Sequence, residues 1–309
     1  MSRTEGGWAE RATFYGGHSA WLDARRAASV APTFRLGATA AGKILGVSPW
    51  GGPWAVYADA MVPGPPLQGA HLRAGHRAEP FLLGWYREER DAEIVAAGSA
   101  EPFTVAHPRH PWLCVSPDAV VSRDGSAGLV EIKTSRYRDG WGRDRTTLHA
   151  LDEWALSQIP PHYLCQVYAQ LAATGLPWCD VVVGFAFHDI RAIRVVADIE
   201  YQARLVAALA EWRERHLVGG EAPEIDDSAA CMQAQQRRPR EGERAGTAEE
   251  LGLARAYSAA RIDEQDAQQS KRMAASLLGD SMGDDKTLTF PGGGRATMGA
   301  RGLRITRIR

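Results

Sequence analysis

The sequence predicts a mixed α/β core over roughly residues 15–220. Strand-like runs flank the turn signal Asp124-Gly125, and a second pair of such runs lies at 179–187 and 191–197. Between the two pairs, "IPPHYLCQVYAQLAATG" has prolines at its start, an apolar face and a glycine stop, which is typical of a helix. Strands and helices that share one region of the chain indicate an α/β domain.

Helices are predicted before the first strands. "TAAGKIL" is expected to begin at an N-cap, Thr39, and to stop at Gly46, and Pro53 suits the first turn of the next helix. A longer helix is predicted over 70–91, with Pro80 bending or restarting it.

The remaining elements of the core follow in order. Strands are predicted for "PFTVAHP", "WLCVSPDAVV" and "GLVEIKT", and an arginine-rich loop with a short helix is predicted at 135–158. The second hairpin is expected to turn at 188–190. An amphipathic helix then starts from a cap at Asp198 and ends at Gly219-Gly220.

The C-terminal part differs in composition from the core. The predicted organisation is a domain at 1–225, a polar linker at 226–246 and an appendage at 247–309. Thr247 and Glu250 have capping-box spacing, so the appendage is expected to open with one long helix, which a small β-hairpin follows.

Composition narrows the class of protein. The chain has 309 residues, 45% hydrophobic and 24% charged, which is ordinary for a globular protein. No apolar run approaches the roughly 18 residues of a membrane span, and the first thirty residues contain no continuous apolar block, so no secretion signal is expected. The four cysteines form no CxxC pair, which argues against a disulfide framework or zinc site. The expected location is cytoplasmic.

Net charge leaves the partner open. The chain has 36 Lys and Arg against 37 Asp and Glu, a net charge of −1, whereas a protein that coats nucleic acid nonspecifically is usually far more basic. DNA is still compatible with this balance, because an acidic metal site can offset a local basic channel.

Two acids and a lysine are concentrated on the first predicted hairpin, in "SPDAVVSRDGSAGLVEIKTS". Residues i and i+2 of a strand share a face, so Glu131 and Lys133 project together and Ile132 points the other way. The turn folds Asp118 back beside Glu131. A surface hairpin does not need this concentration, whereas a metal-dependent phosphodiesterase does.

Asp118 and Glu131 are predicted to bind a divalent cation. Two carboxylates about 4 Å apart repel by on the order of 4 kcal/mol at an intermediate dielectric, and all-oxygen ligation suits Mg²⁺, with Mn²⁺ as the alternative. The Ile132 carbonyl is a candidate third ligand, and Lys133 would hold or deprotonate the attacking water. The competing interpretation is a solvated hairpin with an ordinary Glu-x-Lys ion pair.

Two helical residues extend this set. Glu79 in "GHRAEP" is placed to reach the same metal, and Gln166, one turn from Gln170 on a common helix face, is expected to orient the attacking water or hold the lysine. Taken alone, Glu79 would be interpreted as an acid on a helix surface, and Gln166 as a polar residue of an amphipathic helix. Together with the hairpin residues they form an ordered set.

The sequence resembles a known family. Pro117-Asp118 followed by "EIK" matches the PD-(D/E)xK nuclease motif. Over about residues 18–225 the chain resembles the YqaJ-like viral recombinase nucleases, which are relatives of the lambda-type phage exonucleases. The other segments that carry this resemblance are "AWLDARR", "GATAAGKILGVSPW", "GHRAEP" and the helix at 159–175. The resemblance implies a restriction-endonuclease-like core, a mixed central sheet flanked by helices. It identifies Asp118 and Glu131 as metal ligands and Lys133 as the catalytic lysine.

The resemblance also implies an activity and partners. Members degrade the 5′ strand of linear duplex DNA with Mg²⁺, leave 3′ overhangs, work with a single-strand annealing protein, and in several cases form homo-oligomeric rings. The resemblance implies that Thr39 contacts DNA, at a position where family members usually carry serine. In the family, an arginine of a W-x-x-x-R motif lies near the 5′-phosphate. Here extra residues separate Trp21 and Arg25 from that segment, so Arg25 and Arg35 are both candidates.

Other DNA contacts are predicted after the catalytic strand. Arg136, Tyr137 and Trp141 lie in a basic loop with interleaved aromatic residues, which suits a contact with the DNA backbone, and a solvated loop is the rival interpretation. Trp50 and Trp54 would serve core packing rather than stacking on a terminal base pair.

Three functions compete at this point. The favoured one is a Mg²⁺-dependent DNA exonuclease. The alternatives are a non-catalytic nucleic-acid-binding module that keeps the fold, which the complete Asp-Glu-Lys set argues against, and a sequence-specific endonuclease of the same superfamily.

Overall fold

A mixed six-stranded sheet is the centre of the computed structural model, which describes residues 7–61, 69–186, 189–237, 240–291, 293–299 and 302–306. The chain divides into two units, Met1–Pro239 and Arg240–Arg309. The strands in the described residues are β1 (Ala12–Phe14), β2 (Glu93–Ala97), β3 (Phe103–Ala106), β4 (Cys114–Val115), β5 (Ala119–Arg123), β6 (Ser126–Thr134), β7 (Thr147–Leu148), β8 (Trp178–Ala186), β9 (Asp189–Val196), β10 (Thr287–Thr289), β11 (Arg295–Gly299) and β12 (Gly302–Thr306).

Helices flank the sheet, which confirms the predicted fold class. The helices in the described residues are α1 (His18–Ser29), α2 (Thr39–Ile44), α3 (Pro53–Met61), α4 (Ala70–Arg90), α5 (Glu153–Gln158), α6 (Pro161–Thr174), α7 (Ile199–Trp212), α8 (Ala229–Arg237) and α9 (Ala248–Met282). A 3₁₀ turn forms at Ala9–Arg11 and a π-helical turn at Arg213–Val218. None of the helices in this described part is both long and apolar enough to cross a membrane.

The central sheet has the order β2-β5-β6-β8-β9-β7. The pairs β2–β5, β5–β6 and β8–β9 are antiparallel, and β6–β8 and β7–β9 are parallel. A parallel neighbour needs a crossover connection, and the chain between β6 and β8 supplies one through α5 and α6. The small sheet β1-β3-β4 is separate.

The β5–β6 hairpin forms as predicted. Asp124 and Gly125 both have positive φ, 52° and 77°, as a two-residue hairpin turn requires. Ala119 pairs with Val130 in the antiparallel register. Asp118 therefore lies just before the ladder, opposite Glu131.

One predicted strand, "WLCVSPDAVV", is split in two. Its first part, β4, pairs with β3 in the small sheet, and its second part, β5, pairs in the central one. Pro117 lies between them and has no N–H group to continue a ladder. The interruption frees Asp118 from the strand and lets its side chain fold towards β6.

The two faces of the sheet have different cores. One face packs against α2, α6 and α7, and its buried strand residues include Val120, Leu129, Val181, Val183 and Ile193. The other face packs against α4, and its buried strand residues include Val121, Val130, Ile132, Val182 and Ala192. Strand alternation separates the two sets.

Several helix predictions need correction. α4 continues through Pro80, so the helix does not restart there as one form of the prediction had it. Thr39 is the first helical residue of α2 and not its N-cap, because Ala38 already has helical dihedral angles (φ −57°, ψ −34°). Asp198 caps α7 as predicted, by accepting a hydrogen bond from the Tyr201 amide at 2.9 Å.

The predicted linker at 226–246 contains helix α8. Cys231 and Ala234 of this helix are buried, and α8 packs against α3. Two small apolar residues in a polar stretch are too weak a pattern to reveal the contact from sequence. The division between the units falls after this helix.

The C-terminal unit contains the predicted long helix and β-hairpin. Thr247 and Glu250 form the capping box, with reciprocal hydrogen bonds of 2.8 and 3.2 Å. The hairpin is part of a three-stranded antiparallel sheet of order β10-β11-β12.

Candidate active site

Glu131 is the centre of a buried polar cluster on the face of β6 that meets α6. Its side chain is 3% exposed. One carboxylate oxygen accepts hydrogen bonds from Lys133 Nζ at 2.5 Å and Gln166 Nε2 at 2.5 Å, and the other accepts from Gln170 Nε2 at 2.7 Å. A buried carboxylate is tolerated only when its oxygens are paired in this way. The three donors thus hold the Glu131 carboxylate in one orientation.

The strand period places these groups. Glu131 and Lys133 project to the α6 face together, while Ile132 packs on the opposite face in the core that contains Leu82 and Tyr86. The hydrophobic burial of Ile132 holds β6 in this register, because a shift by one residue would move Glu131 into that core.

Helix α6 contributes three residues to the cluster. Gln166 and Gln170 are four apart, and Tyr163 precedes Gln166 by three, so all lie on one helix face. The Lys133 ammonium lies 4.9 Å from the centre of the Tyr163 ring, which is cation–π distance. The sequence prediction gave a role to Gln166, named Gln170 only as its neighbour on the same helix face, and omitted Tyr163. The three-residue spacing between Tyr163 and Gln166 was the signal that could have found Tyr163.

Asp118 joins the cluster through the backbone. Its Oδ2 accepts a hydrogen bond from the Ile132 amide at 2.6 Å. Burial and then the negative charge of Glu131 raise the pKa of Asp118 well above its usual range, and Lys133 and the Ile132 amide only partly oppose this. A second positive charge near Asp118 would favour its ionised form.

Lys133 is a cation in this environment. Burial acts to lower its pKa, but the charges of Glu131 and Asp118 and the hydrogen bond to Glu131 outweigh that effect, so the net pKa is raised. The ammonium therefore keeps its proton at neutral pH. In this state it suits charge compensation rather than removal of a proton from water.

Glu79 lies at the edge of the cluster. Its carboxylate pairs with His76 Nδ1 at 3.0 Å, and its charge is a minor cause of the raised pKa of Asp118. Across the residues that the structure describes, no three His, Cys, Asp or Glu side chains come together as a metal site. The predicted set of ligands is therefore not assembled in full, and Asp118 and Glu131 are the acids that come together.

The residues nevertheless fit a hard divalent cation. Asp118 and Glu131 offer carboxylate oxygens, and a bound cation would oppose both burial and the charge of Glu131, the two main causes that raise the pKa of Asp118. The contact of Asp118 with Ile132 uses the amide N–H, so a role for the Ile132 carbonyl stays a prediction.

Arg25 and Arg35 line one cavity of about 100 Å³, together with Thr104 and Cys114. The Arg25 guanidinium lies 4.7 Å from the centre of the Trp21 ring, and burial lowers its pKa. Neither arginine has a carboxylate partner in the described ranges. Arg25 is half-buried and Arg35 is exposed. The Arg25 guanidinium is therefore the better positioned hydrogen-bond donor for an anion. Thr39 is exposed at the start of α2.

The loop after β6 is only partly available to a ligand. Arg136 and Tyr137 are exposed, and their contact with DNA stays a prediction. Trp141 is 8% exposed and packs against Tyr163 at 5.6 Å and Phe185 at 6.2 Å between ring centres. The prediction that Trp141 meets DNA is therefore wrong, because its ring anchors the loop to the core.

The two N-terminal tryptophans differ. Trp54 is buried, which confirms the packing prediction, whereas Trp50 is 68% exposed, so that prediction is wrong for Trp50. Trp50 follows Gly46 and Ser48 in a loop that holds it outside the core.

The fold and the Asp118-Glu131-Lys133 arrangement define a member of the PD-(D/E)xK superfamily. Residues 20–177 match the family model of the YqaJ-like viral recombinase domain, and the chain belongs to that family. It is 24% identical over 217 residues to a Bacillus subtilis (strain 168) protein described as "Uncharacterized protein YqaJ", a match over 67% of this chain. The match spans 61% of the length of that relative.

Two solved structures are also similar. The alkaline exonuclease LHK-Exo from Laribacter hongkongensis has 20% identity and a TM-score of 0.43, over 64% of this chain and 94% of that one. LHK-Exo in complex with dAMP has 18% identity and a TM-score of 0.44, over 66% and 100%.

Proposed function

We propose that the chain is a metal-dependent deoxyribonuclease that degrades the 5′ strand of linear duplex DNA and leaves 3′ single-stranded overhangs for recombination. The observation that carries the proposal is the buried Glu131 carboxylate, held by Lys133, Gln166 and Gln170 beside Asp118. A structural ion pair would not require three donors on one acid and a second acid next to it.

Asp118 and Glu131 are the residues that would hold the cation, Mg²⁺ or Mn²⁺. Such an ion, when bound, polarises a phosphodiester and lowers the pKa of water. Glu79 is a candidate for a further, outer contact because its charge already acts on Asp118.

The other residues act on geometry and charge. Gln166 and Gln170 fix both oxygens of Glu131, which prevents rotation of the carboxylate. Lys133 supplies a fixed positive charge next to the position where negative charge builds up on the phosphate. Because the ammonium is already in place, little reorganisation accompanies the reaction.

End recognition would distinguish an exonuclease from an endonuclease. The cavity lined by Arg25 and Arg35 has the donors that a terminal 5′-phosphate needs. Arg25 is held there by Trp21, which favours it as the main phosphate contact.

The test is digestion of a linear duplex labelled separately at each end of one strand, with Mg²⁺ and with a chelator. We expect the 5′ label to be lost first, no loss in the chelator, and a supercoiled circle to stay intact. Cleavage of the circle would favour the endonuclease, and binding without cleavage would favour the non-catalytic module.

Oligomeric assembly and an annealing partner are further parts of the proposal. Light scattering of the purified chain would measure its mass in solution, and a monomer that degrades DNA processively would contradict the ring. Co-purification with a single-strand annealing protein supplied in trans would test the partner.

A further inference from the structure

The C-terminal sheet has two faces of different chemistry. On one face lie Leu288, Ala296, Met298, Leu303 and Ile305, as the antiparallel register requires. This face packs on the end of α9: Ala296 is fully buried, and Met298 lies so close to Gly279 that a side chain there would collide with it.

The opposite face, which we call the Thr/Arg face, consists of six residues: Thr287, Thr289, Arg295, Thr297, Arg304 and Thr306. Thr297 is half-buried and the other five are exposed. The face has no acidic, aromatic or large apolar side chain. Arg295 and Arg304 lie on neighbouring strands in diagonal positions, at roughly 7–8 Å by ordinary sheet geometry.

The C-terminal segment that contains this sheet is basic. Residues 286–309 contain six Lys or Arg and no Asp or Glu, a charge of +6 in a chain whose total is −1. No ion pair of Arg295 or Arg304 occurs within the described ranges. Unpaired like charges on one small sheet repel each other, so they favour an anionic partner.

We propose that the Thr/Arg face binds the phosphate backbone of duplex DNA. Arginine matches phosphate oxygens with two parallel N–H donors, and threonine hydroxyls add neutral donors. Contacts to phosphate oxygens carry no base-sequence information, so binding through this face should not depend on base sequence. An anionic membrane suits the face less well, because it has no apolar or aromatic side chain to enter a bilayer.

The inference extends the proposed function, on which the choice of DNA depends. An exonuclease removes the DNA end to which it is bound, so it benefits from a second contact with the DNA. Such a contact tethers the enzyme and makes re-binding of the new end an intramolecular step. The Thr/Arg face would supply that contact at a site other than the one that cleaves.

The experiment uses the full chain and a fluorescent blunt 40-base-pair duplex in a chelator, with affinity measured by anisotropy over a series of salt concentrations. We expect Arg295→Gln/Arg304→Gln to bind about tenfold more weakly and to lose about two units of the slope of log affinity against log salt. The matched control, Arg255→Gln/Arg261→Gln in exposed positions of α9, should bind like the wild type.

Unchanged affinity and slope in the Arg295/Arg304 variant would overturn the inference, as would an equal loss in the control. Preferential binding of the wild type to duplex RNA, or to phosphatidylserine vesicles with no effect of the variant on DNA, would also overturn it. Cleavage of a saturating short duplex with Mg²⁺ separates the two proposals. If the wild type binds DNA through this face but does not cleave it, only the proposed nuclease activity is contradicted. If the Arg295→Gln/Arg304→Gln variant cleaves DNA and binds it with normal affinity, only the inference about the Thr/Arg face is contradicted.

Discussion

Gln170 donates its side-chain amide to the second oxygen of Glu131, at 2.7 Å, from a fully buried position on α6. The side-chain oxygen of Gln170, Oε1, has no partner in the described residues. A buried side-chain amide whose N–H group is hydrogen-bonded but whose oxygen is not lowers the stability of the fold. Its position is better explained by the orientation of Glu131.

Replacing Gln170 by leucine should therefore lower activity more than stability. We expect a loss of about 10- to 100-fold in the rate of DNA degradation, since the removal of a group that orients a metal ligand has this effect. The comparison is Gln202→Leu, another buried glutamine, on α7 away from the cluster. Full activity in the Gln170 variant would show that the contact is only structural.

Glu131→Gln should abolish degradation while DNA binding persists. Loss of the carboxylate removes a charge worth several kcal/mol at the reaction centre, which corresponds to at least about a 100-fold lower rate. A gel assay of the degradation of a 5′-phosphorylated duplex measures the rate, and anisotropy measures binding. Glu153→Gln, at the exposed start of α5, is the control. Wild-type activity in Glu131→Gln would remove the proposed mechanism.

Asp118→Asn should stabilise the metal-free protein near neutral pH. The pKa of Asp118 is raised in the folded state, so the folded state binds the proton more tightly than the unfolded state does. The resulting stability is fully present below the usual carboxyl pKa and is lost as pH rises through the folded-state pKa. Asparagine removes this loss, so thermal unfolding in a chelator should occur at a higher temperature and depend less on pH.

The same unfolding measurement tests the metal. Mg²⁺ should raise the unfolding temperature of the wild type in a saturable way, because a ligand of the native state stabilises it, and should leave that of Asp118→Asn unchanged. The exposed Asp139→Asn variant serves as the control. An equal response of both variants to Mg²⁺ would place the cation elsewhere.

Arg25→Gln should remove the preference for a 5′-phosphorylated end. A hydrogen bond to a charged group contributes roughly 1.5–3 kcal/mol, so the ratio of rates on 5′-phosphate and 5′-hydroxyl duplexes should fall by about 10- to 150-fold. Arg35→Gln should have a smaller effect, because Arg35 is exposed and lacks the Trp21 contact. The reverse ranking would assign the phosphate to Arg35.

Arg194→Ala should destabilise the protein without acting directly on the site. Asp180 is buried on the α4 side of β8 and bonds to Arg194 at 2.7 and 2.8 Å and to the Tyr86 hydroxyl at 2.5 Å. The variant leaves Asp180 with the Tyr86 hydroxyl and with Arg123 Nη1 at 3.7 Å, so the loss should be smaller than the about 3–5 kcal/mol of a fully unpaired buried acid. Urea unfolding should show this loss, whereas Arg204→Ala, which breaks an exposed pair with Glu200, should change stability by less than about 0.5 kcal/mol.

The sequence was sufficient where neighbours along the chain decide the structure. The Asp124-Gly125 turn, the alternation of Glu131, Ile132 and Lys133, and the cap at Asp198 depend on local backbone geometry. A two-residue turn sets the register of its hairpin, so the approach of Asp118 to Glu131 follows from the sequence alone.

Only the tertiary structure decided which polar groups meet and which aromatic rings are buried. Gln170 and Tyr163 reach the site because α6 packs on β6, Trp141 is buried because Tyr163 and Phe185 surround it, and Glu79 pairs with His76. Periodicity shows that a residue faces a core, but not which element covers it. That choice depends on contacts between segments far apart in the chain, whose relative placement results from the packing of the whole core.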